Sequence, residues 1–309
     1  MIIDAHSHLW LRQDTVLNGQ VIKTTKNGRS IFFGEEVQMI PPFIIDGRNS
    51  AEVFLSNMNY AQVGGAVVVQ ELIDGPQNDY LEEVVKKYPD RFVVCWMPEF
   101  FSKDLPTLLN SCTPELLKKR GFRGIAIPGH RLILDNQRIR LTDKPLMTMF
   151  KQMEQQGLFL SVTLADGGEQ TDELHEVIRE CPQLKIAIGH FGMPTRDGWH
   201  HQLLLAREKN VYLESGGITW LYNSEFWPFP SAVRAIREAA DTVGIEKLMW
   251  GSDYPRTITA ITYRMSYDFV LRSTLLNNNE KQMFLGENAR RFYRLEHLVE
   301  LPYVKNMSE

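Results

Sequence analysis

Eight short apolar runs recur along the chain: "MIIDA" (1–5), "GGAVVVQEL" (64–72), "RFVVCWMP" (91–98), "FRGIAIP" (122–128), "LFLSVTL" (158–164), "KIAIGH" (185–190), "VYLES" (211–215) and "KLMWGSD" (247–253). They are rich in Val, Ile and aromatic residues and lack the polar alternation of a half-exposed strand, which is how strands buried on both faces read. Amphipathic segments separate them. "DYLEEVVKKYP" (79–89) places Leu81, Val84 and Val85 at helical spacing, and 143–157 has Pro145 near its start and Gly157 just past its end. The segment 171–182 offers Thr171 or Asp172 as a cap and Pro182 as a stop, 230–244 ends at Gly244, and two further helical patterns cover about 258–276 and 278–294. Eight strand–helix units in 309 residues predict an α/β fold, a (β/α)8 TIM barrel in a single domain over 1–309. An open doubly wound sheet is the alternative, but no Gly-rich dinucleotide fingerprint follows the first run.

Residues 11–49 interrupt the pattern as an insertion after the first strand. Within it "KNG" (26–28) is a turn signal between the β-prone stretches "QVIKTT" and "SIFF". A segment leaving the top of strand one is placed either to cover an active site as a flap or only to pack. Residues 276–309 form a C-terminal helix and tail. The net charge of −4 and the absence of a Lys/Arg-rich block give no electrostatic case for nucleic acid, and no apolar run is long enough for a membrane span. The first residues lack the basic start of a signal peptide. Three widely spaced cysteines, Cys95, Cys112 and Cys181, fit free thiols of a cytoplasmic protein better than a disulfide framework.

In such a barrel the chemistry sits at the C-terminal strand ends. The first run ends in His6 and His8, which two residues apart on a strand point to one side and form half of a transition-metal site. The sixth ends in His190, read as continuing a barrel-facing row with Ile186 and Ile188. The eighth ends in Asp253, a carboxylate whose desolvation calls for a cation or several donors.

"DAHSHLW", "IGHFG" and "MWGSDYP" in this order resemble the amidohydrolase superfamily, in its amidohydrolase-related branch, which holds decarboxylases, a hydratase and lactonases. The resemblance extends to "GFRGIAI" and "ENARRFYRL". It implies that His6, His8 and Asp253 are metal ligands and that Asp253 also orients or deprotonates the attacking water, with His190 beside metal and substrate. The decarboxylases carry a further histidine at the end of strand five. Here that end reads "SVTLADGG", so the lactonase-like members are nearer. The implied cofactor is a divalent metal, zinc or alternatively manganese. A metal-free scheme uses the same residues, with the histidines as hydrogen-bond donors and Asp253 as general base.

The expected reaction is hydrolysis of a small acidic or sugar-derived lactone. A carboxy-lyase or hydratase of the same branch is the alternative, and a non-catalytic ligand-binding barrel the alternative of another class. Arg256, His130 and Trp10 are the candidate substrate contacts, Trp10 with core packing as an equal alternative, and Arg131 is read as a surface charge. Glu71 and Glu99 follow strands two and three as further candidate ligands, while His200 and His201 read as exposed. The aromatic stretch "TWLYNSEFWPFP" (219–230) is either a wall of the site or a contact in a homo-oligomer.

Overall fold

A computed structural model describes residues 1–102, 104–133, 139–166, 168–297 and 299–305. The last residues of the expected C-terminal tail, 306–309, lie outside them. The eight apolar runs form eight strands of one sheet: β1 (Ile2–Ser7), β6 (Val63–Val68), β7 (Phe92–Trp96), β8 (Gly124–Pro128), β9 (Phe159–Thr163), β10 (Lys185–Ile188), β11 (Val211–Glu214) and β12 (Leu248–Met249). Neighbours in that order pair in parallel. Helices lie between the strands, as in a (β/α)8 barrel.

The absence of polar alternation now has its cause. Ile3, Ala5, Val67, Val93, Ala187 and Met249 pack together inside the barrel, while Val68, Val94, Ile125, Val162, Ile186 and Ile188 pack outward against the helices. Ile186 and Ile188 therefore do not share a barrel-facing row with His190; Ala187 faces inward, and His190 lies beyond the strand in a left-handed turn at φ 51°.

The helices Asn78–Lys87, Lys144–Gln156 and Pro230–Val243 follow the sequence pattern, and Gly157 closes the second at φ 69°. The next differs at its start. It spans Glu169–Glu180 behind Gly168, so Thr171 and Asp172 lie in its first turns instead of capping it. Buried Gln170 accepts from Ala165 N–H and donates to Gly129 O, pinning that turn to the ends of β8 and β9. Only Met265–Arg272 of the pattern at 258–276 is α-helical, because Tyr263 is drawn into the barrel seam, where it donates to Asp4 at 2.7 Å. The last pattern is interrupted by a π-turn at Met283–Glu287, where Phe284 O accepts from Trp250 N–H. Cys95, Cys112 and Cys181 are free, and no described helix is long and apolar enough to cross a membrane.

The insertion is a four-stranded antiparallel sheet: β2 (Asp14–Leu17), β3 (Gln20–Thr24), β4 (Arg29–Phe32) and β5 (Glu35–Gln38). Asn27 and Gly28, at φ 56° and 72°, make the turn joining β3 to β4. Backbone hydrogen bonds in both directions between Trp10 and Asn49 tie its two ends together, and Asn49 Nδ2 donates to His8 O.

The barrel closes between β1 and the chain that follows β12. Ala5 N–H donates to Trp250 O, Asp253 N–H to His6 O and His8 N–H to Tyr254 O, all at 2.8–2.9 Å. Asp4, fully buried beneath this seam, accepts from His6 N–H, from Ser252 N–H and hydroxyl, and from Tyr263. Replacing it strands several buried donors at about 1–3 kcal/mol each. Asp4→Ala is expected to lower unfolding stability by about 3 kcal/mol or more in urea titration; a midpoint within error of the parent would contradict this role.

Candidate active site

Backbone irregularities aim the strand-end side chains. Between Asp4 and Ser7, β1 carries one residue more than β6, since Asp4 pairs with Ala66 and Ser7 with Val68. That extra residue turns His6 inward beside Ala5 and keeps His8 on the same side. The seam sets Asp253, itself left-handed at φ 58°, against both. His6 Nε2 and His8 Nε2 stand 3.1 Å apart, and Asp253 Oδ1 lies 3.0 Å from His8 Nε2 and 3.6 Å from His6 Nε2. The His190 ring sits 4.7 Å from that of His6, centroid to centroid. His6, His8, His190 and Asp253 are thus brought together.

The second nitrogen fixes the tautomer of His190. His190 Nδ1 lies 2.8 Å from Gly216 O, which can only accept, so Nδ1 carries the proton and Nε2 a lone pair. His6 Nδ1 lies 2.6 Å from Glu214 Oε1, while Glu214 Oε2 accepts from Gly216 N–H at 2.6 Å. Burial raises the Glu214 carboxyl, against the lowering influence of His190 and of the Gly216 N–H. Burial holds His6 and His190 down near 4 and lowers His8 as well. Burial alone would raise Asp253; His8, Arg256 and His6 outweigh it and keep the carboxyl below its ordinary range.

The result is a pocket of neutral imidazoles around an ionised carboxylate. Asp253 Oδ1 and His8 Nδ1 are buried without a hydrogen-bond partner among the described residues, and donor atoms of His6, His8 and Asp253 lie within 4.8 Å of one another. Two imidazoles and a carboxylate with an open side fit a divalent transition-metal ion.

These groups line a cavity of about 350 Å³ at the C-terminal ends of the strands. Phe32 and Met39 of the insertion form part of its wall, so the inserted segment contributes to the pocket. Arg256 lines it too: Nη2 bonds both oxygens of Asp74 at 2.7 and 2.9 Å, and Nη1, 3.9 Å from Asp253 Oδ1, is buried without a hydrogen-bond partner among the described residues. Asp74 in turn accepts from Gln13 at 2.6 Å and faces His8 Nδ1 at 3.6 Å. His130 and Arg131 reach the cavity paired with Glu71, each at 3.3 Å, so Arg131 is not a free surface charge and Glu71 is already neutralised.

Trp220, from the aromatic stretch, lines the cavity and donates to Asp253 Oδ2 at 2.8 Å. Trp10 is placed elsewhere. It does not line the cavity; it packs with Ile40 and Ile44 beneath the insertion and donates to Gly47 O, with Arg256 over its ring at 5.7 Å. Glu99 borders a separate cleft with Asp79 and Cys112, and exposed His200 pairs with Glu238. Sequence reading missed Glu214, Asp74 and Gln13. Glu214 alone carried a signal, being the one charged residue ending the strand "VYLES".

The buried imidazoles make stability depend on pH. An unfolded chain protonates His190 near its ordinary 6.5, the folded protein only near 4, so the stability its neutral ring contributes is full above pH 6.5 and lost as pH falls toward 4. His190→Gln is expected to flatten the fall in urea-unfolding free energy between pH 7.5 and 4.5; curves parallel to the parent's would contradict the assignment.

A protein family described as amidohydrolase matches residues 3–295. The protein y4mH of Sinorhizobium fredii is 23% identical over 315 residues, covering 95% of this chain and 98% of its own. An L-fucono-1,5-lactonase of Burkholderia ambifaria is 27% identical over 132 residues, 38% of this chain and 44% of that protein. Among solved structures, a probable 2-pyrone-4,6-dicarboxylic acid hydrolase of Acinetobacter baumannii superposes with TM-score 0.68 at 18% identity, covering 95% and 99% of the two chains. The 5-carboxyvanillate decarboxylase of Novosphingobium aromaticivorans, complexed with manganese, gives TM-score 0.58 at 16% identity over 79% and 80%. The match across nearly the whole length shows that this chain belongs to the amidohydrolase family.

Proposed function

We propose that this amidohydrolase hydrolyses a small acidic or sugar-derived lactone, with a divalent cation, zinc or manganese, held by His6, His8 and Asp253. The carrying observation is the set of acceptor atoms turned toward one another at the strand ends. His190 offers the cavity a lone pair, His6 Nε2 faces His8 and Asp253, and Asp253 Oδ1 is unpartnered among the described residues. His190, which presents a lone pair to the cavity, cannot donate to a developing oxyanion, and this tells against its part in the metal-free scheme.

A bound divalent cation supplies Lewis-acid polarisation of the substrate carbonyl and acidifies water. The protein's own groups do the rest. Asp253 accepts the proton of the attacking water and returns it to the ring oxygen as the ester bond breaks. Trp220 holds its second oxygen, fixing the carboxylate plane. His190 Nε2 is a fixed acceptor for a water or substrate hydroxyl. Arg256 Nη1 is the free donor for a carboxylate or hydroxyl of the substrate, its other nitrogen being taken by Asp74.

The lactonase relative and the pyrone hydrolase neighbour support hydrolysis. So does the end of β9, which lends the cavity the hydroxyls of Ser161 and Thr163 and no imidazole. A panel of γ- and δ-lactones, with and without carboxylates, assayed by proton release in the presence of zinc or manganese, tests the reading. Turnover of at least one lactone is expected, with Asp253→Asn reducing kcat by about 10³-fold while remaining folded. Carbon dioxide release from a carboxylated phenol without lactone turnover would select the decarboxylase reading instead.

A further inference from the structure

We infer that Glu214 is a positioning residue that dictates which nitrogen of His6 faces the cation site. The inference rests on the proposed cation site and not on the identity of the substrate. Glu214 ends β11 at 1% exposure, behind His6 and away from the cavity lining. Its two oxygens have separate partners, His6 Nδ1 on Oε1 and Gly216 N–H on Oε2. Gly216 N–H can only donate. A carboxylate accepts on both sides; an amide cannot.

The surrounding backbone is cut to this carboxylate. A Cβ at Gly189 would stand 2.9 Å from Glu214 Oε1 and 2.7 Å from Thr163 Oγ1. One at Gly216 would stand 2.9 Å from Oε2 and 2.6 Å from His6 Cγ, and one at Gly251 2.9 Å from Oε2 and 2.7 Å from His6 Cβ. Three consecutive strand ends, those of β10, β11 and β12, thus each lack a side chain where Glu214 and His6 meet. With Glu214 ionised and the proton on Nδ1 toward it, His6 Nε2 is left as a lone pair on the cation side, the carboxylate–histidine arrangement that raises ligand basicity.

Glu214→Gln makes the point testable. If its amide oxygen faces His6, its NH2 confronts Gly216 N–H; if the amide flips, NH2 donates to His6 Nδ1 and the proton moves to Nε2, where it blocks the cation. Two readouts separate Glu214 from the function it serves. Zinc affinity by chelator competition is expected to fall about 10- to 100-fold in Glu214→Gln, with His6→Ala as the reference for loss of a ligand. The ¹⁵N shifts of labelled histidine in metal-free protein, assigned with His6→Ala, are expected to show His6 protonated at Nδ1 in the parent and shifted toward Nε2 in the variant. Gly189→Ala, which removes no hydrogen-bonding group, is expected to weaken zinc in the same direction by displacing Oε1. Unchanged zinc affinity together with an unchanged His6 tautomer in Glu214→Gln would overturn the inference. A parent that binds no zinc would sink the cation site, while the tautomer measurement would still decide the role of Glu214.

Discussion

The pairing of β1 with the chain beyond β12 is the interaction on which the rest depends. The same backbone hydrogen bonds that close the barrel, Asp253 N–H to His6 O and His8 N–H to Tyr254 O, bring the first and last site residues into register. Residues 245 or more positions apart in the sequence, His8 or His6 and Asp253, thereby join one cluster, and a slip of one residue along the seam would turn side chains to the wrong face. Asp4 sits under that junction and holds its outer side through Ser252 and Tyr263. Closure of the fold and assembly of the site are therefore a single structural event.

The insertion is joined to this centre by a buried polar chain. Ser30 donates to Gln13, Gln13 donates to Asp74, and Asp74 accepts from Arg256 beside Asp253. Ser30, Gln13 and Asp74 are each only 2% exposed, and such a chain is stable only when each member is satisfied. The sheet that supplies Phe32 and Met39 to the cavity wall is thus anchored to Arg256, which lines the same cavity.

Much of the fold was legible because burial on both faces leaves a plain signature in Val- and Ile-rich runs, and the turn at Asn27–Gly28 has strong local chemistry. The His6, His8 and Asp253 cluster was legible because strand ends converge in a barrel. Other features depend on tertiary context. Glu214, Asp74 and Gln13 act through partners distant in sequence, and no local spacing marks a buried carboxylate or amide. The parity argument for His190 failed because the chain leaves the extended conformation after Ile188, so its face is set by a left-handed turn. Trp10, beside the histidine pair in sequence, could be read as pocket wall or as core, and the insertion folds back over it and takes it into its own small core.

The central claim is that His6, His8 and Asp253 form a cation site built by closure of the barrel. Crystals grown with zinc and measured on both sides of the zinc absorption edge test it most directly. The account predicts one strong anomalous peak within bonding distance of His6 Nε2, His8 Nε2 and an Asp253 oxygen. Absence of a peak there, with Asp253 instead directly hydrogen-bonded to a protonated His8, would contradict it.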